Sequence, residues 1–370
     1  YCSFLSAFLM LAFAAIAQNP YEVKNYTDGN FPVSEYTLKN GLKVFISVNK
    51  TSPRVQTMIA VKAGSKFDPP QTTGLAHYLE HMVFKGTHEF GTLNWTKESV
   101  LLDSISNLFE AHKNEPDEAK KVAIYKRIDS FSYEASKFAI PNEYDKMTTS
   151  LGAQGTNAFT SNDMTVYVND IPSNAINKWL TLEANRFKTL VLRLFHTELE
   201  AVYEEFNISQ DRDARWSYQS ILASLYPNHP YGTQTTIGLG EHLKNPSMVN
   251  IHNYFKTYYR ANNMAIILSG DVDPDKVMPE IVKNFGRWGS GDLPIFNKPA
   301  LKELKSPIET VIKGPQPEHV YVGYSFDGAG TRESLMASLV DELLSNGQAG
   351  LIDLDLVQKQ KVLKAYSFFS

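Results

Sequence analysis

The residues best suited to chemistry are His77, Glu80 and His81, in the pentapeptide His77-Tyr78-Leu79-Glu80-His81. On an α-helix, positions four apart lie on one face about one turn apart, so the two imidazoles would converge on a single ion. Glu80 stands three residues after His77 on the same side, where a carboxylate reaches water at that ion. The order H-x-x-E-H inverts the familiar zinc-protease signature. A hydrolytic zinc site takes three protein ligands and keeps the fourth position open. The single cysteine, Cys2, falls in an apolar leader, so the third ligand must be Asp, Glu or His. The acidic run from Thr197 to Glu205 offers Glu198, Glu200, Glu204 and Glu205. Glu198 and Glu205 are two turns apart and share a face. Helical geometry alone does not choose among the four, and an acidic run is usually a solvated face.

Such side chains act only when rigid elements hold them. Strands are expected at 35–38 and 42–48, around the turn Lys39-Asn40-Gly41, and at 55–61, 156–160, 164–168 and 264–270. Helical spacing covers 73–84, with Leu75, Leu79, Met82 and Val83, and also 175–187, 197–210 and 274–285. The charged stretch 96–137 predicts a helical pair joined around Asn114-Glu115-Pro116. Past a linker at 290–299, strands are expected at 309–312 and 320–324 and a helix at 334–344. Strands and helices recur without a strict βαβ period. The expected class is α+β, a β-sheet covered by helices.

The chain has 370 residues, more than one ordinary domain. Its net charge of −4 provides no basic field for nucleic acid or an anionic membrane. One cysteine excludes both a cystine scaffold and a cysteine-ligated metal. Residues 4–17 are almost continuously apolar, and Ala15-Ile16-Ala17 supplies the small-x-small pattern of signal cleavage. Residues 1–17 are therefore read as an N-terminally incomplete signal peptide. The apolar run is roughly fourteen residues, shorter than a membrane span.

His77 to Thr87, H-Y-L-E-H-M-V-F-K-G-T, resembles the pitrilysin/insulinase family of zinc metallopeptidases, the inverzincins, which includes mitochondrial processing peptidase. The likeness continues through Asn157-Ala158-Phe159-Thr160-Ser161 with Thr165 and Tyr167, then Glu198 to Glu205. His229-Pro230-Tyr231-Gly232, Asn262-Asn263-Met264 and Gly270-Asp271 extend it over residues 32–290. What the resemblance implies is a mitochondrial-processing-peptidase-like metallohydrolase fold of repeated domains. It implies one Zn²⁺ per catalytic domain on His77, His81 and Glu205, with Glu80 as general base on a zinc-bound water. Glu198 would be an accessory acidic residue of the catalytic set, and Asn157 and Ala158 would lie on an edge strand that pairs with the substrate backbone.

On this reading, residues 18–290 form the catalytic domain with a helical insertion at about 96–140, and 291–370 begin a second, homologous domain. The expected activity is zinc-dependent endoproteolysis of extended or unfolded peptides. The alternative is a non-catalytic peptide-binding or assembly subunit; such subunits usually lose the metal residues, whereas His77, Glu80, His81 and Glu205 are all present here. The family completes its site with an Arg…Tyr pair from a later domain. Here Tyr366 fits, but Lys359 stands in place of the arginine, and an ammonium cannot reproduce a guanidinium fork. The expected partners are peptide substrates and a second homologous half, in cis or as a separate chain, with no nucleic acid and no membrane span after signal cleavage. The leader and the likeness to long bacterial members place the protein in the periplasm or cell envelope, with secretion as the other outcome.

Overall fold

Alternation along Arg54–Val61 shows how the sheet forms: Val55, Thr57, Ile59 and Val61 are buried while the residues between them are partly exposed. That period of two fits a strand with one face on a core. The structure, a computed structural model, describes residues 19–27, 29, 31–300 and 304–370. The leader expected at 1–17 lies outside the described residues.

Seven strands make one sheet: β1 (Tyr21–Tyr26), β2 (Val33–Leu38), β3 (Lys43–Val48), β4 (Arg54–Val61), β5 (Gln154–Thr160), β6 (Thr165–Pro172) and β7 (Met264–Gly270). Their order is β1-β2-β3-β7-β4-β6-β5. Only the β3–β7 pair is parallel; the others are antiparallel. In the middle, Ile59 stands opposite Ile266 on one side and Tyr167 on the other. β5 ends the sheet, paired to β6 on one side only. The β2–β3 turn depends on Gly41 at φ 83°, where a Cβ would stand 2.7 Å from the Asn262 Cβ. Asn40 ties the same turn to the chain beyond β7 by donating to the Phe285 and Trp288 carbonyls at 2.9 and 3.2 Å.

The helices of this unit are α1 (Leu75–Val83), α2 (Trp95–Asn114), α3 (Glu118–Ser136), α4 (Glu143–Ser150), α5 (Ile176–Arg186) and α6 (Phe195–Gln210). After α7, which belongs to the second unit, come the short α8 (Pro230–Thr233) and α9 (Gly240–Lys244), then α10 (Met248–Tyr258) and α11 (Pro274–Phe285). α1 packs against β5, β6, α6 and α10. The helical pair expected at 96–137 forms as α2 and α3, joined at residues 115–117. Asn94 and Asp117 cap α2 and α3 by accepting the Lys97 and Lys120 N–H groups, an interaction typical of helix starts. Glu98 fastens α2 to the segment before α6: its carboxylate takes Arg193 Nε at 2.6 Å and Nη2 at 2.9 Å. Arg193 also donates to the carbonyls of Lys85 and Thr87, just past α1.

A second compact unit comprises residues 213–227 and 304–370. It contains α7 (Asp213–Leu225) and α12 (Arg332–Leu344), and the Asp213 carboxylate accepts the Gln316 N–H at 2.9 Å. The strands expected at 309–312 and 320–324 are not formed; neither stretch pairs with another strand among the described residues, and Val311 is 85% and Val320 90% exposed. A β-branched run becomes a strand only when a neighbour takes up its N–H and C=O groups and a core covers one face.

Candidate metal centre

α1 starts where Asp68 makes it start. The buried carboxylate accepts the N–H groups of Gly74, Leu75 and Ala76 at 2.8, 3.2 and 2.9 Å, satisfying donors that a helix terminus otherwise leaves unpaired. Burial pushes the Asp68 carboxyl up to about 8, against the pull of those three donors. Gly74 takes φ 84°, and a Cβ there would meet the Ile237 carbonyl at 2.6 Å. Leu75, Ala76, Leu79, Met82 and Val83 are buried in the core. The Tyr78 hydroxyl donates to the Phe195 carbonyl at 2.5 Å, pinning α1 to the first residue of α6.

The opposite face of α1 then meets α6. His77 Nε2 and His81 Nε2 lie 3.3 Å apart. Glu205 Oε2 stands 3.6 Å from the first and 3.7 Å from the second. Ligands about 2.1 Å from a tetrahedral ion are separated from one another by about 3.4 Å, so these three atoms match the edges of a zinc tetrahedron. The donor set suits the ion as well: two imidazoles and one carboxylate. The four glutamates left open by helical spacing now separate. Glu205 faces both histidines, Glu198 takes the outer nitrogen of His81, Glu200 approaches His196 at 4.0 Å, and Glu204 accepts from Asn207 at 3.4 Å.

Glu198 bridges His81 and Lys85. Its Oε1 is 2.8 Å from His81 Nδ1 and its Oε2 is 2.5 Å from Lys85 Nζ. A carboxylate on Nδ1 fixes the ring and leaves Nε2 as the metal-facing atom. Burial alone would raise Glu198, but the His81 and Lys85 contacts outweigh it and hold the carboxyl below its ordinary value. Burial lowers His81 too, yet the Glu198 hydrogen bond and the Glu205 and Glu80 charges bring it above a normal histidine. His77 differs: burial, reinforced by His81, pushes it down to about 4, which keeps the ring neutral. Its Nδ1 is buried with no hydrogen-bond partner among the described residues.

Glu80 is 7% exposed, and burial raises its carboxyl above the ordinary glutamate value. The Thr160 hydroxyl, from the end of β5, donates to its Oε2 at 2.5 Å. Asn157 and Ala158 lie on β5 opposite Val168 and Tyr167, and no strand covers the outer side of β5 among the described residues. His229 accepts the Tyr231 N–H at 3.1 Å as the cap of α8, a structural hydrogen bond of the kind its Pro/Gly-rich turn suggests. Asp68 and Lys85 are the residues whose roles the sequence concealed. No spacing rule links Asp68 to α1, and Lys85 is visible only as part of the H-Y-L-E-H-M-V-F-K-G-T run.

A seven-stranded sheet bearing an inverted His-Glu-His helix against an acidic one defines a class of metallopeptidases. Residues 43–110 match the family model described as Insulinase (Peptidase family M16), and 249–370 match the Peptidase M16 inactive domain. The chain belongs to this family. The first match contains His77, Glu80 and His81; Glu198 and Glu205 lie outside both spans. "Zinc protease PqqE" of Helicobacter pylori is 25% identical over 88% of this chain and 64% of that protein. "Uncharacterized zinc protease YmxG" of Bacillus subtilis is 23% identical over 91% of this chain and 69% of that protein. Insulin-degrading enzyme of Bos taurus is 26% identical over 72% of this chain, but only 23% of that protein is covered. The crystal structure of a protease from Helicobacter pylori aligns with a TM-score of 0.63 at 21% identity, over 94% of this chain and 71% of that one. Pitrilysin aligns with a TM-score of 0.56 at 18% identity, over 77% of this chain and 26% of that one. The chain thus spans only part of the length of the proteins it matches.

Proposed function

We propose that this protein is a zinc-dependent endopeptidase acting on extended or unfolded peptides. The observation that carries the reading is the triangle of His77 Nε2, His81 Nε2 and Glu205 Oε2 beside a buried Glu80. His77, His81 and Glu205 would hold one Zn²⁺, which supplies Lewis-acid polarisation of the scissile carbonyl and of the attacking water. Glu80 takes the proton of that water and returns it to the leaving amine. Its raised pKa brings the carboxyl closer to the working pH, which favours transfer in both directions. Glu198 holds His81 in the tautomer that presents Nε2 to the ion. The open edge of β5, with Asn157 and Ala158, receives the substrate as an added strand, so that backbone hydrogen bonds carry affinity and sequence tolerance is broad.

The reading includes a second homologous half, fused or separate, that supplies fixed donors for the developing oxyanion and encloses the peptide. Lys359 pairs with Asp355 at 2.6 Å and Tyr366 is exposed, in the second compact unit. No helix among the described residues is long and apolar enough to cross a membrane. The apolar leader supports an exported protein of the periplasm or cell envelope. The deciding experiment is Glu80→Gln. The amide cannot accept a proton, so hydrolysis of an unstructured peptide should fall by about a hundredfold to ten-thousandfold while zinc stoichiometry stays at one. A variant that keeps its zinc and cleaves at the original rate would exclude this chemistry.

A further inference from the structure

The contact between Thr160 and Glu80 crosses from one element to another. Glu80 is carried by α1, whereas Thr160 closes β5, the strand at the sheet edge. Thr160 Oγ1 donates to Glu80 Oε2 at 2.5 Å, the length of a charge-assisted O–H···O bond. The threonine is itself held in place. It stands in register opposite Thr165, with the two hydroxyls 3.4 Å apart, and the fully buried Thr165 donates to the Ala63 carbonyl at 3.0 Å. A glutamate side chain has three torsions, and at Glu80 one carboxylate oxygen is tied to the strand while the other stays available.

We propose that Thr160 is a positioning residue for Glu80. Its hydroxyl fixes Oε2 so that Oε1 meets the water proton, and it links the orientation of the base to the strand that receives the peptide. A substrate strand that pairs with β5 orders that strand, and the order reaches the base through one hydroxyl. The inference deepens the peptidase reading and rests on it for its kinetic half.

Three variants test it. Thr160→Val keeps the shape and removes the hydroxyl, Thr160→Ser keeps the hydroxyl and removes the methyl, and Thr160→Ala is a second hydroxyl-free form should valine disturb folding. Crystal structures should show the Glu80 carboxylate turned away or split between rotamers in the valine and alanine forms, and in its original place in the serine form. With equal zinc content, kcat on an unstructured peptide should fall about tenfold to a hundredfold without the hydroxyl. KM should stay within about twofold, and serine should restore most of the rate. An unmoved carboxylate in Thr160→Val would overturn the proposal, as would equal losses in valine and serine or a change confined to KM. If the zinc-loaded parent protein cleaves no peptide, the peptidase reading fails, and the crystallographic comparison still decides the role of Thr160.

Discussion

Glu98 and Arg193, in the first unit, form an ion pair at 2.6 Å with both side chains 1% exposed. Asp355 and Lys359, in the second, form one of the same 2.6 Å length with both side chains 58% exposed. Equal distances conceal unequal consequences. In water the exposed pair gains little beyond what hydration already gives, whereas each buried charge depends on its partner because no solvent can replace it. Apolar residues divide in the same way. Val55 and Ile59 of β4 are 0% and 1% exposed, while Leu335, Leu339 and Leu343 on α12 are 64%, 60% and 68% exposed. Pattern marks a candidate helix or strand; a neighbouring surface decides whether its apolar face is buried.

The contrast can be tested from its strongest consequence downward. His77→Ala or His81→Ala removes one of three donors, and elemental analysis should find zinc falling from one equivalent to almost none. Unchanged zinc in both variants would break the assignment of the first unit as the metal-binding one. Next is the buried pair: Glu98→Ala leaves the Arg193 guanidinium uncompensated and should cost about 3–5 kcal/mol in denaturant unfolding. Asp355→Ala should cost less than about 1 kcal/mol, and comparable losses would erase the distinction between the units. Between these two falls Glu198→Ala, where loss of the His81 anchor should weaken zinc binding about tenfold to a hundredfold in a chelator competition. Beside it, Glu205→Gln should weaken metal retention and Glu204→Gln should not; the reverse would shift the α6 register by one residue. The smallest change is at Leu339→Ser, expected to alter stability by no more than about 0.5 kcal/mol. A loss of several kcal/mol there would reveal a buried α12 face.

The site was legible where local periodicity governs it. Helical spacing put His77, Glu80 and His81 on one side of a helix, as α1 has them, and the 55–61 strand shows its alternation directly. Helical spacing grouped Glu198 with Glu205 without saying which one meets the imidazoles, because that depends on how α6 crosses α1. The packing answer lies in Tyr78, whose hydroxyl grips Phe195, a contact across 117 positions that no sequence window contains. β1 escaped notice for a related reason. The alternation Tyr21-Glu22-Val23-Lys24 breaks at Asn25, five of the six residues are exposed, and Tyr21–Tyr26 is a strand because β2 offers it an edge. The strands expected at 309–312 and 320–324 are the converse case, with strand composition and no edge to join.

The strand order also has a consequence in time. β7 is the strand that joins β1-β2-β3 to β4-β6-β5, since β3 and β4 each pair with it and not with each other. It begins at Met264, roughly 200 residues after β4 ends, and at a synthesis rate of about 5–20 residues per second the ribosome reaches it about 10–40 seconds later. Until then the two three-stranded halves remain separate blocks with a missing seam, and α1 rests on only one of them. In that interval neither block has the neighbour that β7 supplies to β3 and β4. The face of α1 that carries His77 and His81 therefore gains the support of the complete sheet only after β7 has been made.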